Sequence, residues 1–119
     1  IRSCLVTSTS FQFRNSDPAP GTRGITYRDF LFATDEDETA ASVIDQVRGP
    51  CPPFLIAQGE NDFAHVRETG DRIVPVLEAS GTSVERRIYP GLDHYAMNLA
   101  QGDPTHDWVH AARSRLASG

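Results

Sequence analysis

Long apolar runs are missing from this sequence. No stretch approaches the roughly 20 consecutive apolar residues that a membrane-spanning helix needs, so no membrane partner is expected. Basic clusters are missing too. The longest basic run is Arg86-Arg87, and 11 basic against 16 acidic side chains leave a net charge of −5. The concentrated positive patch that phosphate recognition requires is absent, and nucleic acid is not an expected partner. Lysine does not occur; every basic residue is an arginine, a feature to which no function attaches. Cysteine is scarce. Cys4 and Cys51 lie far apart and outside any metal-type pair spacing, which leaves reduced, mostly buried thiols and a cytoplasmic setting as the expectation. No charged-then-apolar targeting segment and no initiator Met precede Ile1-Arg2-Ser3-Cys4-Leu5-Val6, so the sequence reads as opening inside a fold.

What remains is ordinary globular material: 119 residues, 39% apolar and 8% aromatic, forming one domain or part of one. A chain of this length buries roughly two-thirds of its unfolded surface, so its stability requires neither a disulfide scaffold nor a structural metal.

Ile1 to Ser8 is short, apolar and compatible with a strand; it runs through Phe11-Gln12-Phe13 into a stretch rich in Asn, Ser, Asp, Pro and Gly from Asn15 to Gly24. Thr34 and Asp37 form a capping pair ahead of Ala40, Val43, Ile44 and Val47 at helical spacing, and Gly49-Pro50 stops that helix. The acids Asp35 to Glu38 suit a helix N-terminus, where the macrodipole favours negative charge, and need no metal to account for them. Phe54-Leu55-Ile56-Ala57 is a continuous apolar run between prolines and a glycine, the pattern of a central strand buried on both faces. A helix follows, with Val66, Gly70, Ile73, Val74 and Leu77 on one face and a kink or displaced start expected from Pro75. Val84, Arg86 and Ile88 alternate with Glu85, Arg87 and Tyr89, predicting a strand exposed on one side and closed by Pro90-Gly91. Asp103-Pro104 supplies an N-cap and first-turn proline for a last helix whose inward face is Trp108, Val109, Ala112 and Leu116.

Strand, excursion, helix, strand, helix, strand, helix predicts an α/β fold with a mostly parallel sheet, right-handed crossovers and flanking helices. Chemistry in such sheets sits beyond the carboxyl ends of the strands. Asp62 follows one strand there, and His94 stands in a loop after the next.

Two stretches carry a resemblance. Pro52-Pro53-Phe54-Leu55-Ile56-Ala57-Gln58-Gly59-Glu60-Asn61-Asp62 resembles the late strand and turn that present the triad acid of an α/β-hydrolase, and Pro90-Gly91-Leu92-Asp93-His94-Tyr95 resembles the loop that presents its histidine. The stretch between them has room for the one helix and one strand that separate acid and base in that fold. The resemblance is to the C-terminal part of an α/β-hydrolase, and within that fold to esterases and kynurenine-formamidase-like arylformamidases. It implies that residues 1–119 are one C-terminal segment of a hydrolase domain acting on a small ester or amide, with Asp62 and His94 as catalytic residues and no cofactor or metal. A serine hydroxyl is a poor nucleophile until an imidazole takes its proton, and the imidazole needs a carboxylate to fix its tautomer and stabilise its charged form. Asp62 would orient His94, and His94 would act as general base and then as acid toward the leaving group.

The family's nucleophile sits in a Gly-x-Ser-x-Gly elbow. No such pentapeptide occurs; Gly81-Thr82-Ser83-Val84-Glu85 lacks the second glycine and precedes a strand. A separate N-terminal polypeptide of the same hydrolase is therefore the expected partner, supplying the serine and the oxyanion hole. Four other features are weighed against this reading. His106 and His110, with Asp107 between them, echo the spacing of a zinc-protease helix, but Asp stands for Glu and no third ligand is evident. His65 competes with His94 as base, from the start of a helix. Tyr27, Phe30, Leu31 and Phe32 belong to an excursion that serves either as a pocket lid or as core cover, and Tyr95 and Met97 beside the base invite the same question. Finally, the same half-sheet also suits a non-catalytic binding or scaffold protein.

Overall fold

The run Phe54-Leu55-Ile56-Ala57 is buried throughout, at 8% exposure or less, and the rest of the molecule is arranged around it. The computed structural model of the protein describes residues 2–13 and 31–118. There the run opens β2 (Phe54–Asn61), flanked by β1 (Cys4–Thr7) and β3 (Val84–Asp93) in the order β1-β2-β3. Both pairings are parallel, with Cys4 and Val84 each opposite Phe54. Because neighbouring side chains of a strand face opposite ways, β2 feeds two cores. Phe54 and Ile56 pack with Phe11, Ile73 and Leu77, bringing α2 (Val43–Gln46) and α3 (Ala64–Ala79) onto one face. Leu55 and Ala57 pack with Met97, Ala100 and Trp108, bringing α4 (His94–Ala100) and α5 (Asp107–Ala117) onto the other. Full burial of such side chains stabilises the fold by about 1.5–3 kcal/mol each, so the two layers are held chiefly by β2 and what it touches.

Several local expectations change. The helix expected from Thr34 begins as predicted, with Thr34 Oγ1 accepting from the Asp37 amide at 3.1 Å. It breaks at Ser42 into α1 (Asp35–Ala41) and α2. There the Ser42 hydroxyl and amide both bond the Glu38 carbonyl, and the Ile44 amide turns to the carbonyl of Phe11 at 3.1 Å. α3 runs unbroken through Pro75 from Ala64. β3 does not stop at Pro90-Gly91 but continues to Asp93, and its exposed-on-one-side reading fails because arginines anchor both of its faces. Arg86 bonds Gln58 on one face; Arg87 and Tyr89 both bond Asp107 at the start of α5 on the other, at 2.7 and 2.8 Å. α5 starts at Asp107 with His106 as its N-cap, while Asp103 closes a turn onto Thr105. Leu116 is 65% exposed instead of inward. Cys4 and Cys51 are free thiols, partly instead of mostly buried.

Gln58 explains how α3 approaches the sheet so closely. Its buried amide donates to the Val66 carbonyl at 2.7 Å and accepts from Arg86 Nε at 2.9 Å. A Cβ on Gly70 would stand 2.5 Å from Gln58 Oε1, so the helix crosses over this amide only where a side chain is missing.

Candidate active site

β2 ends in Gly59-Glu60-Asn61, and the chain turns so that the Asp62 amide donates to the Gly59 carbonyl at 3.2 Å. Arg67, one turn into α3, clamps this corner by donating to the carbonyl of Glu60 at 2.5 Å. The neighbouring end of β3 is irregular. Tyr89 still pairs with Gly59, but Asn61 pairs with Asp93, so Pro90 to Leu92 stand opposite the single residue Glu60 and bulge out of register. Gly91 takes the left-handed φ of 72° that the bulge needs, and its amide donates to Glu60 Oε2 at 2.7 Å. Asp93 then caps α4, accepting from the Ala96 amide at 2.8 Å. His94 is therefore the first residue of a helix and not a loop residue, because the strand runs directly into the cap.

The bulge delivers His94 to Asp62. Nδ1 of His94 lies 2.9 Å from Asp62 Oδ1; the Asp62 side chain is wholly enclosed and that of His94 is 26% exposed. Burial by itself pushes the Asp62 carboxyl up, but hydrogen bonds from Ser8, His94 and the Phe63 amide, with attraction to the His94 ring, outweigh it and hold the group below the usual carboxylate range. An ionised carboxylate can only accept, which places the proton of the shared bond on Nδ1; in the neutral form of the ring the lone pair is then on Nε2. Among the described residues no group hydrogen-bonds Nε2. The stability consequence has a definite sign. The folded value lies below the ordinary 3.8, so the stabilisation is present above that pH and is lost as the pH falls through the folded value. In urea unfolding between about pH 5 and pH 2, the stability advantage of the wild type over Asp62→Asn should shrink toward the acid end. An advantage that widens there would contradict this account.

Three surroundings of the pair were not expected from sequence. The Ser8 hydroxyl donates to Asp62 Oδ2 at 2.5 Å. Phe63 stacks on the His94 ring, with centroids 4.6 Å apart and planes inclined by 26°. His65 also stacks on Phe63, with centroids 5.8 Å apart and planes inclined by 13°, and it lines the same cleft as His94. A signal for Phe63 existed in its place directly after the acid; none existed for Ser8. Tyr95 meets His94 edge-on and is 69% exposed, whereas Met97 is fully buried in the second core. A cleft of about 380 Å³ opens between Ser8–Ser10 and the rings of Phe63, His94 and Tyr95. Of the excursion, Tyr27 and Phe30 lie outside the described residues, Phe32 packs on Phe13 at 5.1 Å, and Leu31 is 58% exposed. The histidine pair of α5 is differently engaged. His106 Nδ1 accepts from the Trp108 amide at 3.1 Å, and among the described residues no three His, Cys, Asp or Glu side chains converge as a metal site.

No family model and no curated protein matches this sequence. Solved structures do resemble it. Thermogutta terrifontis esterase 2 phosphoramylated by tabun superposes with a TM-score of 0.71 at 18% identity, over 98% of this chain and 41% of that one. The same esterase phosphorylated by paraoxon gives 0.68 at 17% identity, over 98% and 40%. Its propionate-bound form, described as a thermophilic esterase from a Planctomycetes species, gives 0.66 at 16% identity, over 98% and 42%. At such identities the likeness is one of fold: the C-terminal portion of an α/β-hydrolase, with three parallel strands and flanking helices. The chain spans about two-fifths of the length of these esterases. No described helix is long and apolar enough to cross a membrane.

Proposed function

We propose that this chain is the acid–base portion of a serine hydrolase that cleaves an ester or amide, with arylformamidase-like removal of an N-formyl group as one form of that chemistry. The observation that carries the reading is the enclosed Asp62 carboxylate bonded at 2.9 Å to Nδ1 of a partly exposed histidine, both at the carboxyl ends of adjacent parallel strands. In this reading His94 Nε2 takes the proton of a serine hydroxyl and later returns it to the leaving alkoxide or amine, while Asp62 stabilises the imidazolium between the two transfers. The serine, in a Gly-x-Ser-x-Gly elbow, and the oxyanion donors come from an N-terminal polypeptide of the same hydrolase. Two features support such a partner: among the described residues no strand pairs with the outer edge of β1, and Tyr95 and Leu99 of α4 are 69% and 78% exposed.

The test is native mass spectrometry of the purified protein, joined to labelling with paraoxon, which phosphorylates the esterase of similar fold. The expected result is a second polypeptide that carries the elbow, adds one diethyl phosphate, and ceases to do so when His94 is replaced by alanine. A sample that holds both polypeptides and takes no label would instead mark the half-sheet as a scaffold. A chain with no second polypeptide would remove the partner from the reading.

A further inference from the structure

Ser8 is the first residue after β1, and its conformation is unusual for a serine. Its φ is +43°, in the left-handed region, where a side chain other than glycine is strained. Such strain persists only where the surroundings over-determine it, and here three constraints do so. The Ser8 amide donates to the Ala57 carbonyl at 2.9 Å, the residue is only 6% exposed, and its hydroxyl is held 2.5 Å from Asp62 Oδ2. Glycine would fit the backbone without strain, so what serine adds at this position is the hydroxyl.

That hydroxyl meets the carboxylate on the oxygen facing away from the histidine. Oδ1 takes His94 Nδ1 and the Phe63 amide, both at 2.9 Å. Oδ2 has Ser8 and, at a marginal 3.5 Å, the Gly59 amide. Without the hydroxyl, Oδ2 keeps no partner at good distance and the carboxylate is held through Oδ1 alone, so rotation about its Cβ–Cγ bond, which moves Oδ1 out of line with Nδ1, is opposed less. Ser8 is not itself placed as a nucleophile, because its hydroxyl bonds the acid and neither nitrogen of the imidazole.

We propose that Ser8 is a positioning residue of the acid–base pair, its hydroxyl locking the Asp62 carboxylate so that Oδ1 holds the Nδ1–H tautomer of His94. The inference rests on the hydrolase reading above, but its test reads the pair directly and needs no nucleophile.

The tautomer of His94 is read from long-range proton–nitrogen correlation spectra of the 15N-labelled chain, at a pH above the imidazole range. Four proteins are compared: wild type, Asp62→Asn, Ser8→Gly and Ser8→Ala. Wild type should show Nδ1–H, and Asp62→Asn should turn the ring toward Nε2–H; an unchanged ring in Asp62→Asn would defeat the acid–base pairing itself. With that control in place, Ser8→Gly should lower the Nδ1–H to Nε2–H ratio about tenfold, the scale of one hydrogen bond to a charged group. Glycine keeps the +43° backbone without strain, so this variant separates the hydroxyl from the turn. Equal losses in Ser8→Gly and Ser8→Ala support the proposal. A wild-type ratio in Ser8→Gly overturns it, whether or not Ser8→Ala is altered, since only the backbone would then matter. His65, His106 and His110 should keep their tautomers in all four proteins and serve as internal references.

Discussion

On the proposed reading, replacing His94 with alanine in the chain assembled with its N-terminal partner should lower kcat/KM by roughly 10⁴–10⁶-fold, with most of the loss in kcat, because a group that takes and returns the proton acts only at the transition state. Asp62→Asn should cost less, roughly 10³–10⁴-fold. It leaves the imidazole in place beside Phe63 but removes the charge that holds the proton on Nδ1 and stabilises the imidazolium. The two effects should not add: once His94 is gone, changing Asp62 should alter the residual rate by less than about tenfold, since the residues act as one unit. Steady-state kinetics on an activated aryl ester, with the double variant included, checks all three statements. Activity retained in His94→Ala within tenfold of wild type, or additive losses, would remove His94 from the proton-transfer role.

Among the described glycines, Gly59 should tolerate replacement by alanine least. A Cβ at this position would stand 2.2 Å from the Leu92 carbonyl oxygen and 2.8 Å from its carbon, with the Asp93 oxygen at 3.1 Å. These are backbone atoms of the β3 bulge and cannot swing aside as a side chain does. Overpacking of this kind costs about 3 kcal/mol or more, which for a chain of this size lowers Tm by roughly 10 °C. The damage should also reach the site, because the residues that would move lie directly before His94, and the Gly59 carbonyl receives the Asp62 amide. Gly49→Ala is the control. Nothing lies within 4 Å of that Cβ, and its stability should change by no more than about 0.5 kcal/mol. Thermal unfolding of the two variants decides the matter: a Tm for Gly59→Ala within about 2 °C of the control would mean that β3 does not cross β2 as closely as described.

The same glycine shows how far local pattern reaches. Gly59-Glu60-Asn61-Asp62 is visible as a strand ending in glycine and acid, but the reason for the glycine is Leu92, which lies on another strand and enters only when the sheet forms. The Pro90-Gly91 pair has the composition of a strand stop. In the sheet it becomes a bulge, since the Gly91 amide finds Glu60 and the strand resumes pairing at Asp93. In the same way Asp103-Pro104 is a correct turn signal, but the helix cap passes to His106, whose ring nitrogen takes the Trp108 amide while the Asp103 side chain is engaged by Thr105. Ser42 breaks its helix for a comparable reason, because the Ile44 donor is claimed by Phe11, remote in sequence.

By itself the sequence determined the elements whose cause is local or periodic. Thr34 caps Asp37 within one turn, the apolar run at Phe54 between prolines and a glycine has the pattern of a strand enclosed on both sides, and the alternation of strands and helices implies a mostly parallel sheet. It also determined which acid and which histidine stand beyond the strand ends. Only the tertiary structure decided that the two meet at 2.9 Å, that a bulge and a helix cap deliver the imidazole, that Phe63 covers its ring, and that Ser8 holds the far oxygen of the acid. The physical reason is range. Capping, periodicity and turn chemistry act within a few residues, whereas the Ser8–Asp62–His94 chain joins three strand ends whose relative positions exist only after two cores have packed on β2.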